Sequence, residues 1–114
     1  MRHPDLAPAN PNIAMTATTA IQHYCPFVSE VDNGTITINW VTGDSTIELH
    51  SLANFLGHYA DQKISHEDLV DEVFDSLEYL TPHIILCSVT ARFTTAGIDV
   101  EVRRGPVHVD AVGT

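Results

Sequence analysis

Two stretches of apolar and polar alternation constrain the fold of this chain more than any other feature. In residues 35–41 the side chains of Ile36, Ile38 and Trp40 fall on one face of an extended strand, and residues 98–103 repeat the pattern. Between them, apolar residues spaced three and four positions apart follow one face of each of two helices. This change of period predicts strands on both sides of a helix pair.

Two further strands complete the predicted order. Residues 16–24 are rich in Thr and are followed closely by Pro26, and residues 84–93 form a long, mainly apolar run. The sequence Asp-Asn-Gly at positions 32–34 is a strong turn signal, which predicts a hairpin between the first two strands. The order is therefore strand, strand, helix, helix, strand, strand.

The two helices have recognisable ends. Ser51 is suited to cap the first helix, and Ser65 with Asp68 three residues later resembles a capping box for the second, which Pro82 stops. An α+β fold, in which an antiparallel four-stranded sheet carries both helices on one face, is the most economical packing because each strand has one strongly apolar side. The open sheet edges predict assembly into a ring or barrel.

One domain is predicted for residues 15–105. Residues 1–14 contain three of the prolines and no hydrophobic period, so they are predicted to be a flexible leader, and residues 106–114 a short C-terminal tail. With 114 residues, the chain can bury a core but is short enough that a complete active site would need a second copy. Self-association is therefore expected.

The charge balance narrows the range of partners. Acidic residues outnumber basic ones by 15 to 5, for a formal charge of −10, and Lys63 is the single lysine. Such a field repels phosphate backbones, so direct binding of nucleic acid is not expected, although adaptation to high salt would weaken this argument. The chain shows neither a signal peptide nor an apolar run long enough to span a bilayer, so a cytoplasmic protein without membrane partners is expected.

Cys25 and Asp32, seven positions apart, are the first candidates for chemistry. A thiolate is a nucleophile and a nearby carboxylate can transfer protons, so the pair suits covalent attack on an electrophilic carbon. Three structural alternatives remain open at this point: a packed thiol, a Cys25–Cys87 disulfide, and an Asp32 that serves only its turn.

Four local motifs occur in the order and at the intervals of a known family. They are Cys25-Pro26 with Asp32, the segment Glu48-Leu49-His50-Ser51-Leu52, the pair His66-Glu67, and the turn Gly97-Ile98-Asp99. Together with the element order, these motifs resemble the tunnelling fold and, within it, the 7-cyano-7-deazaguanine reductase (QueF-like) family. The resemblance covers about residues 21–105.

The resemblance implies a catalytic role for three residues. Cys25 would attack the nitrile carbon of 7-cyano-7-deazaguanine to give a covalent thioimide, and Asp32 would supply the proton. His66 would be a second proton carrier near the substituent. The expected substrate is a free small-molecule base, bound at sites between subunits.

It also implies three binding residues. Glu67 would accept hydrogen bonds from the ring N–H and the exocyclic amine of the purine, and two carboxylate oxygens match two adjacent donors. Glu48, with Ser51 in the same segment, would provide a second contact to the base. Taken alone, Glu67 would instead be assigned to the helix dipole, and Glu48 to a solvated strand end.

The sequence departs from the family where the reductases bind their reductant. The family's lysines for the phosphates of NADPH are replaced by His50 and Ala53, and no basic residue follows until Lys63. A non-reductive outcome is therefore expected, such as amidine formation with ammonia. The alternatives are NADPH-dependent reduction to 7-aminomethyl-7-deazaguanine, decarboxylation of 7-carboxy-7-deazaguanine, a deazapurine-binding module without turnover, and a scaffold without a ligand.

A zinc site is the remaining alternative, since another branch of the tunnelling fold, the GTP cyclohydrolases, can use zinc. His23, Cys25 and His66 are the best candidate ligands, because side chains two positions apart in an extended strand end point the same way. No Cys-x-x-Cys or His-x-x-x-His spacing supports the set, so neither zinc nor another cofactor is predicted.

Overall fold

The computed structural model describes residues 2–105, so the predicted tail 106–114 lies outside the described residues. It contains the strands and helices β1 (Leu6–Pro8), β2 (Ala14–Tyr24), β3 (Val31–Thr42), β4 (Ser45–Ile47), α1 (Leu49–Gly57), a 3₁₀ helix (His58–Asp61), α2 (His66–Glu78), β5 (Ile84–Thr95) and β6 (Ile98–Arg104). Within this range, neither α-helix has the length and apolar character needed to cross a membrane.

The core lies between the main sheet and the helices. β2, β3, β5 and β6 form an antiparallel four-stranded sheet in that order, and α2 packs on β5 and β6 while the 3₁₀ helix packs on β2. Ile36, Ile38 and Trp40 are almost completely buried on the helix side, as the alternation predicts. The predicted α+β fold is confirmed. β2 and β6 are the edge strands, and assembly into a ring stays a prediction.

The N-terminal segment differs from the predicted flexible leader. Its residues Leu6–Pro8 form β1, which pairs antiparallel with β4 as a separate two-stranded sheet. On the N-terminal side of β1, the Asp5 N–H donates to the Ser51 hydroxyl at 2.7 Å, and the Asp5 carbonyl accepts from the Glu48 N–H at 2.9 Å. The prediction is therefore corrected for this segment, because β4 and the start of α1 provide partners for its backbone groups.

The predicted turn at residues 32–34 is wrong. These residues lie inside β3. The loop of the hairpin instead comprises residues 25–30, between the paired Tyr24 and Val31. Asp, Asn and Gly are poor strand formers, but the alternation of β3 extends through them and fixes the register. Gly34 is required here by packing, because a Cβ atom at this position would clash with the Arg92 carbonyl oxygen and would meet the Phe93 ring at 2.5 Å.

One of the two predicted helix caps is confirmed and the other is wrong. Ser65 does cap α2, and its hydroxyl accepts from the Asp68 N–H at 3.1 Å. Ser51, in contrast, lies in the first turn of α1, and the cap is Glu48, whose carboxylate accepts from the backbone N–H groups of His50 and Ser51. A carboxylate reaches two free N–H groups and complements the helix dipole, which a single hydroxyl cannot do.

Candidate active site

One cavity, of about 190 Å³, brings together four of the six predicted catalytic and binding residues. Cys25, Asp32, His66 and Glu67 all line it, and His23 and Thr95 line it with them. These six side chains come from β2, β3, β5, the loop after β2 and the first turn of α2. The tertiary structure therefore joins a nucleophile, two imidazoles and two carboxylates that are up to 44 positions apart in sequence.

Cys25 lies at the start of the loop that joins β2 and β3. Its backbone N–H donates to the Glu30 carbonyl at 2.9 Å, which closes the loop, and its thiol is free and half-buried. Next to it the Phe27 side chain is 87% exposed. The backbone of Cys25 is thus held while the residue remains partly exposed at the cavity, as a nucleophile requires. Cys87 is also free, so the two cysteines do not form a disulfide.

Asp32 is buried at the opposite side of the same hairpin. It pairs with His23 across β2 and β3, and its side chain is on the helix side of the sheet, where Thr95 donates to Oδ1 at 3.5 Å. Its Oδ2 lies 3.9 Å from His23 Nε2 and 4.0 Å from His66 Nε2. Asp32 is therefore a core-facing carboxylate among hydrogen-bonding groups, and its position in β3 excludes a role as a turn residue.

His23 and His66 form a buried imidazole pair. Their facing nitrogens, His23 Nε2 and His66 Nδ1, are 2.9 Å apart, and His23 is completely buried. The ring of Phe93 stacks on His66 with an interplanar angle of 11° and meets the edge of His23 at 85°. Phe93 thereby fixes both ring planes, and Gly34 leaves the space that Phe93 occupies.

The α2 N-terminus is held against the end of β2. Tyr24 exchanges backbone hydrogen bonds with the segment before α2, since its N–H donates to the Gln62 carbonyl at 2.8 Å and its carbonyl accepts from the Ile64 N–H at 3.1 Å. This places the first turn of α2 beside Cys25. Glu67 is exposed there, and its carboxylate has no hydrogen-bond partner among residues 2–105. It can therefore complement the helix dipole and still accept from a ligand.

Glu48 and Ser51, the other two predicted binding residues, do not line this cavity. The Glu48 carboxylate is engaged in the cap of α1, which holds its pKa below the ordinary range because the N–H groups of His50 and Ser51 donate to it. The Ser51 hydroxyl accepts from Asp5. Within a single chain both residues are structural, and their contact with a base stays a prediction.

The candidate zinc set is only partly assembled. His23 and His66 come together as predicted, but the third donor within 4.8 Å is Asp32, and Cys25 is outside the group. Cys25 follows the last residue of β2, so the alternation of an extended strand no longer directs its side chain. The ring nitrogens of both histidines form hydrogen bonds, which a metal ion would have to replace.

Desolvation lowers the pKa of His66 below its ordinary value of 6.5, because burial disfavours the imidazolium. The neighbouring His23 acts in the same direction, whereas the carboxylates of Asp32 and Glu67 oppose it. His66 is thus biased toward the neutral form, which can accept a proton.

This shift predicts a pH dependence of stability. As pH falls below about 7, the unfolded chain binds a proton at position 66 before the folded chain does, so the free energy of unfolding decreases until the lowered pKa is reached. We expect the urea midpoint to fall accordingly, and His66→Gln to flatten the dependence. His83→Gln, at an exposed pair with Asp44, is the control. Equal slopes for wild type and His66→Gln would contradict the prediction.

Sequence reasoning missed the roles of His23 and Thr95 in this cavity. The sequence marks His23 only as a candidate zinc ligand, although its pairing with Asp32 follows once the hairpin loop is placed at residues 25–30. Thr95 carries no comparable signal, because it lies at the end of β5 and its hydroxyl meets Asp32 and His66 only through the sheet order.

Comparison with known proteins gives one family match. A family model described as "QueF-like protein" matches residues 31–111, so Asp32, His66 and Glu67 fall inside the match and Cys25 precedes it. A solved structure titled as the archaeosine synthase QueF-Like in the apo form matches with a TM-score of 0.76, over 87% of this chain and 99% of that one. At 18% identity, this second similarity establishes the fold alone.

Curated relatives that match this chain are named as NADPH-dependent 7-cyano-7-deazaguanine reductases. The NADPH-dependent 7-cyano-7-deazaguanine reductase of Prochlorococcus marinus is 36% identical over 62 residues, which are 54% of this chain and 46% of that protein. The enzyme of the same name from Thermosynechococcus vestitus is 32% identical over 53 residues, or 46% of this chain and 40% of that protein. The matched part thus spans less than half the length of these relatives.

Proposed function

Because the chain belongs to the QueF-like protein family, we propose that it is an enzyme that modifies the 7-substituent of a 7-deazaguanine base. Its substrate is 7-cyano-7-deazaguanine, which Cys25 captures as a covalent thioimide. The observation that carries this proposal is the single cavity that holds Cys25, Asp32, His66 and Glu67 together.

Covalent capture is an addition in which no atom is lost. The Cys25 sulfur forms a bond to the nitrile carbon, one π bond of the nitrile breaks, and the thiol proton ends on the nitrile nitrogen. Asp32 takes the proton from the thiol and returns it to the nitrogen, with His66 as the second carrier. Neutral His66 suits this role, because its lowered pKa leaves it able to accept a proton.

Recognition of the base falls to Glu67. Its carboxylate is exposed at the edge of the cavity and accepts from the ring N–H and the exocyclic amine of the purine. A base with an acceptor at either position could not form a hydrogen bond with the carboxylate, because neither group would supply a hydrogen. The pair of donors therefore sets the specificity. The formal charge of −10 favours a free base over one within a nucleic acid.

The thioimide is resolved by ammonia in this proposal. Ammonia attacks the thioimide carbon, the carbon–sulfur bond breaks, and the products are the 7-amidine and the free Cys25 thiol. The charges of the chain favour this outcome over use of NADPH, because α1 carries His50 and Ala53 instead of lysines. Arg92 is paired with Glu101, and Arg104 with Asp71 and Asp75, so the phosphates of NADPH would have to compete with these carboxylates.

Reduction to the 7-aminomethyl base is the second candidate. One observation favours it, since the curated relatives are named as NADPH-dependent reductases. It needs two hydride equivalents from NADPH, and the phosphates of that cofactor would have to bind without the lysines of the family motif.

Product analysis tests both candidates. The protein is incubated with 7-cyano-7-deazaguanine alone, with added ammonium, and with added NADPH, and 7-carboxy-7-deazaguanine is run in parallel. We expect an intact mass increased by the whole base in the first sample and amidine in the second. Nitrile-dependent NADPH consumption would support the reductase instead. Tight binding of the nitrile base without any adduct would refute nitrile capture, and loss of carbon dioxide from the 7-carboxy base in the absence of such an adduct would indicate a decarboxylase.

A further inference from the structure

We infer that His23, His66, Thr95 and Asp32 form a proton-transfer chain, and that the buried His23 is a positioning residue which sets how many protons the chain holds. This inference rests on the proposed function, because the proton-transfer chain accepts the proton that Cys25 releases. It adds two residues, His23 and Thr95, to the machinery of the site.

The proton-transfer chain runs between two fixed acceptors, the Tyr24 carbonyl and the Asp32 carboxylate. At one end His23 Nδ1 donates to the Tyr24 carbonyl at 3.3 Å, and His23 Nε2 meets His66 Nδ1 at 2.9 Å. From His66 Nε2 the next step is 3.1 Å to the Thr95 hydroxyl, which is 3.5 Å from Oδ1 of Asp32 at the other end. The four links are continuous, and the two inner ones are the shortest.

A count of hydrogens shows what the chain lacks. Four links need four hydrogens, but two neutral imidazoles supply two and the Thr95 hydroxyl supplies one. With an ionised Asp32 the chain is therefore one hydrogen short. An added proton completes all four bonds, whether it resides on Asp32 as a carboxylic acid or on the histidine pair as an imidazolium. The proton-transfer chain can thus take up one further proton, either on Asp32 or on the two histidines.

The surroundings favour uptake of this proton from the cavity. The charged or titratable groups that face the chain are Glu67 from α2 and Cys25 from the loop after β2, and β5 contributes only Thr95 and the apolar Phe93. His23 is fully buried and the His66 side chain is 14% exposed, so bulk water reaches the inner links poorly. The thiol of Cys25, which lines the same cavity, is then the proton source that the reaction itself supplies.

The chain therefore acts as a base that is ready before the substrate binds. Transfer of the thiol proton to Asp32 completes the hydrogen bonds through Thr95 to both histidines, which stabilises the thiolate state. Attack on the nitrile then draws the same proton back to the nitrogen. His23 acts through its contact with His66, which it holds in the orientation and protonation state that this exchange needs.

Matched variants test the continuity of the chain. Thr95→Val removes the hydroxyl at nearly constant shape, whereas Thr95→Ser keeps it, and His23→Gln keeps a polar group next to His66 but cannot be protonated. We expect Thr95→Val and His23→Gln to slow adduct formation with the nitrile base by roughly 10²-fold and to move its pH profile, since general acid–base catalysis contributes at least that factor. Thr95→Ser should recover most of the rate that Thr95→Val loses, and the surface control His83→Gln should match wild type.

A second measurement needs no substrate, so it separates this inference from the proposed function. In the free protein, the imidazole signals of His66 are titrated by NMR for the same variants. We expect Thr95→Val and His23→Gln to move the His66 midpoint, and Thr95→Ser to leave it unchanged. Unchanged midpoints in both variants would overturn the chain, as would a purified protein carrying one zinc ion on His23 and His66. Failure of wild type to form an adduct would refute only the proposed function.

Discussion

Replacing Cys25 with alanine is expected to abolish the covalent adduct with 7-cyano-7-deazaguanine and to reduce product formation to the uncatalysed level. The reason is chemical, because the Cys25 sulfur is the only nucleophile of its strength at the cavity, and neither Asp32 nor Glu67 forms a comparably stable bond to a nitrile carbon. Its thiol is half-buried and makes no hydrogen bond that the fold requires. The variant should therefore fold normally and bind the base.

Intact-mass analysis after incubation with the nitrile base is the measurement. Cys87→Ala is the matched control, since that thiol is also half-buried but lies in β5, at the irregularity of the β3–β5 pairing, and is not part of the cavity. We expect Cys87→Ala to form the adduct as wild type does. An adduct that persists in Cys25→Ala and disappears in Cys87→Ala would reassign the nucleophile. Full turnover by Cys25→Ala would show that the reaction has no covalent step.

Replacing Glu67 with glutamine is expected to weaken binding of the base by roughly 3 kcal/mol, or about 10²-fold, with little effect on folding. The carboxylate accepts two hydrogen bonds from the purine, whereas the glutamine amide offers one acceptor and turns an N–H donor toward the other N–H donor of the base. One charge-assisted bond is lost and one repulsive contact is created. Calorimetric titration with Cys25→Ala as the background protein measures the affinity without the covalent step.

Asp68→Asn is the control for the helix dipole. Asp68 lies next to Glu67 in the first turn of α2, but it does not line the cavity. Its replacement by asparagine removes the same unit of charge from the same helix terminus. If Glu67 contacts the base, only Glu67→Gln will lose affinity. If Glu67 serves the helix dipole alone, both variants will lose a similar, small amount of stability and neither will lose affinity.

Much of the fold could be predicted from local patterns. The alternation that places Ile36, Ile38 and Trp40 on one face requires only that strand side chains alternate, and α2 begins at the predicted cap because Ser65 satisfies its first turn. The family resemblance is also confirmed. The wrongly predicted turn concerns residues with two uses. Asp32 and Gly34 are residue types common in turns, but here Asp32 faces the core and Gly34 makes room for Phe93.

The sequence by itself determined the order of the four main strands and two helices, their apolar faces, and the presence of a thiol, carboxylates and histidines at suggestive intervals. These features follow from short-range periodicity and residue chemistry. Only the tertiary structure decided which of them meet. The loop at residues 25–30 sets the register that puts His23 opposite Asp32, and the sheet order brings Thr95 to both Asp32 and His66. Contacts between distant strands depend on register, and a shift of one residue would turn each of these side chains away.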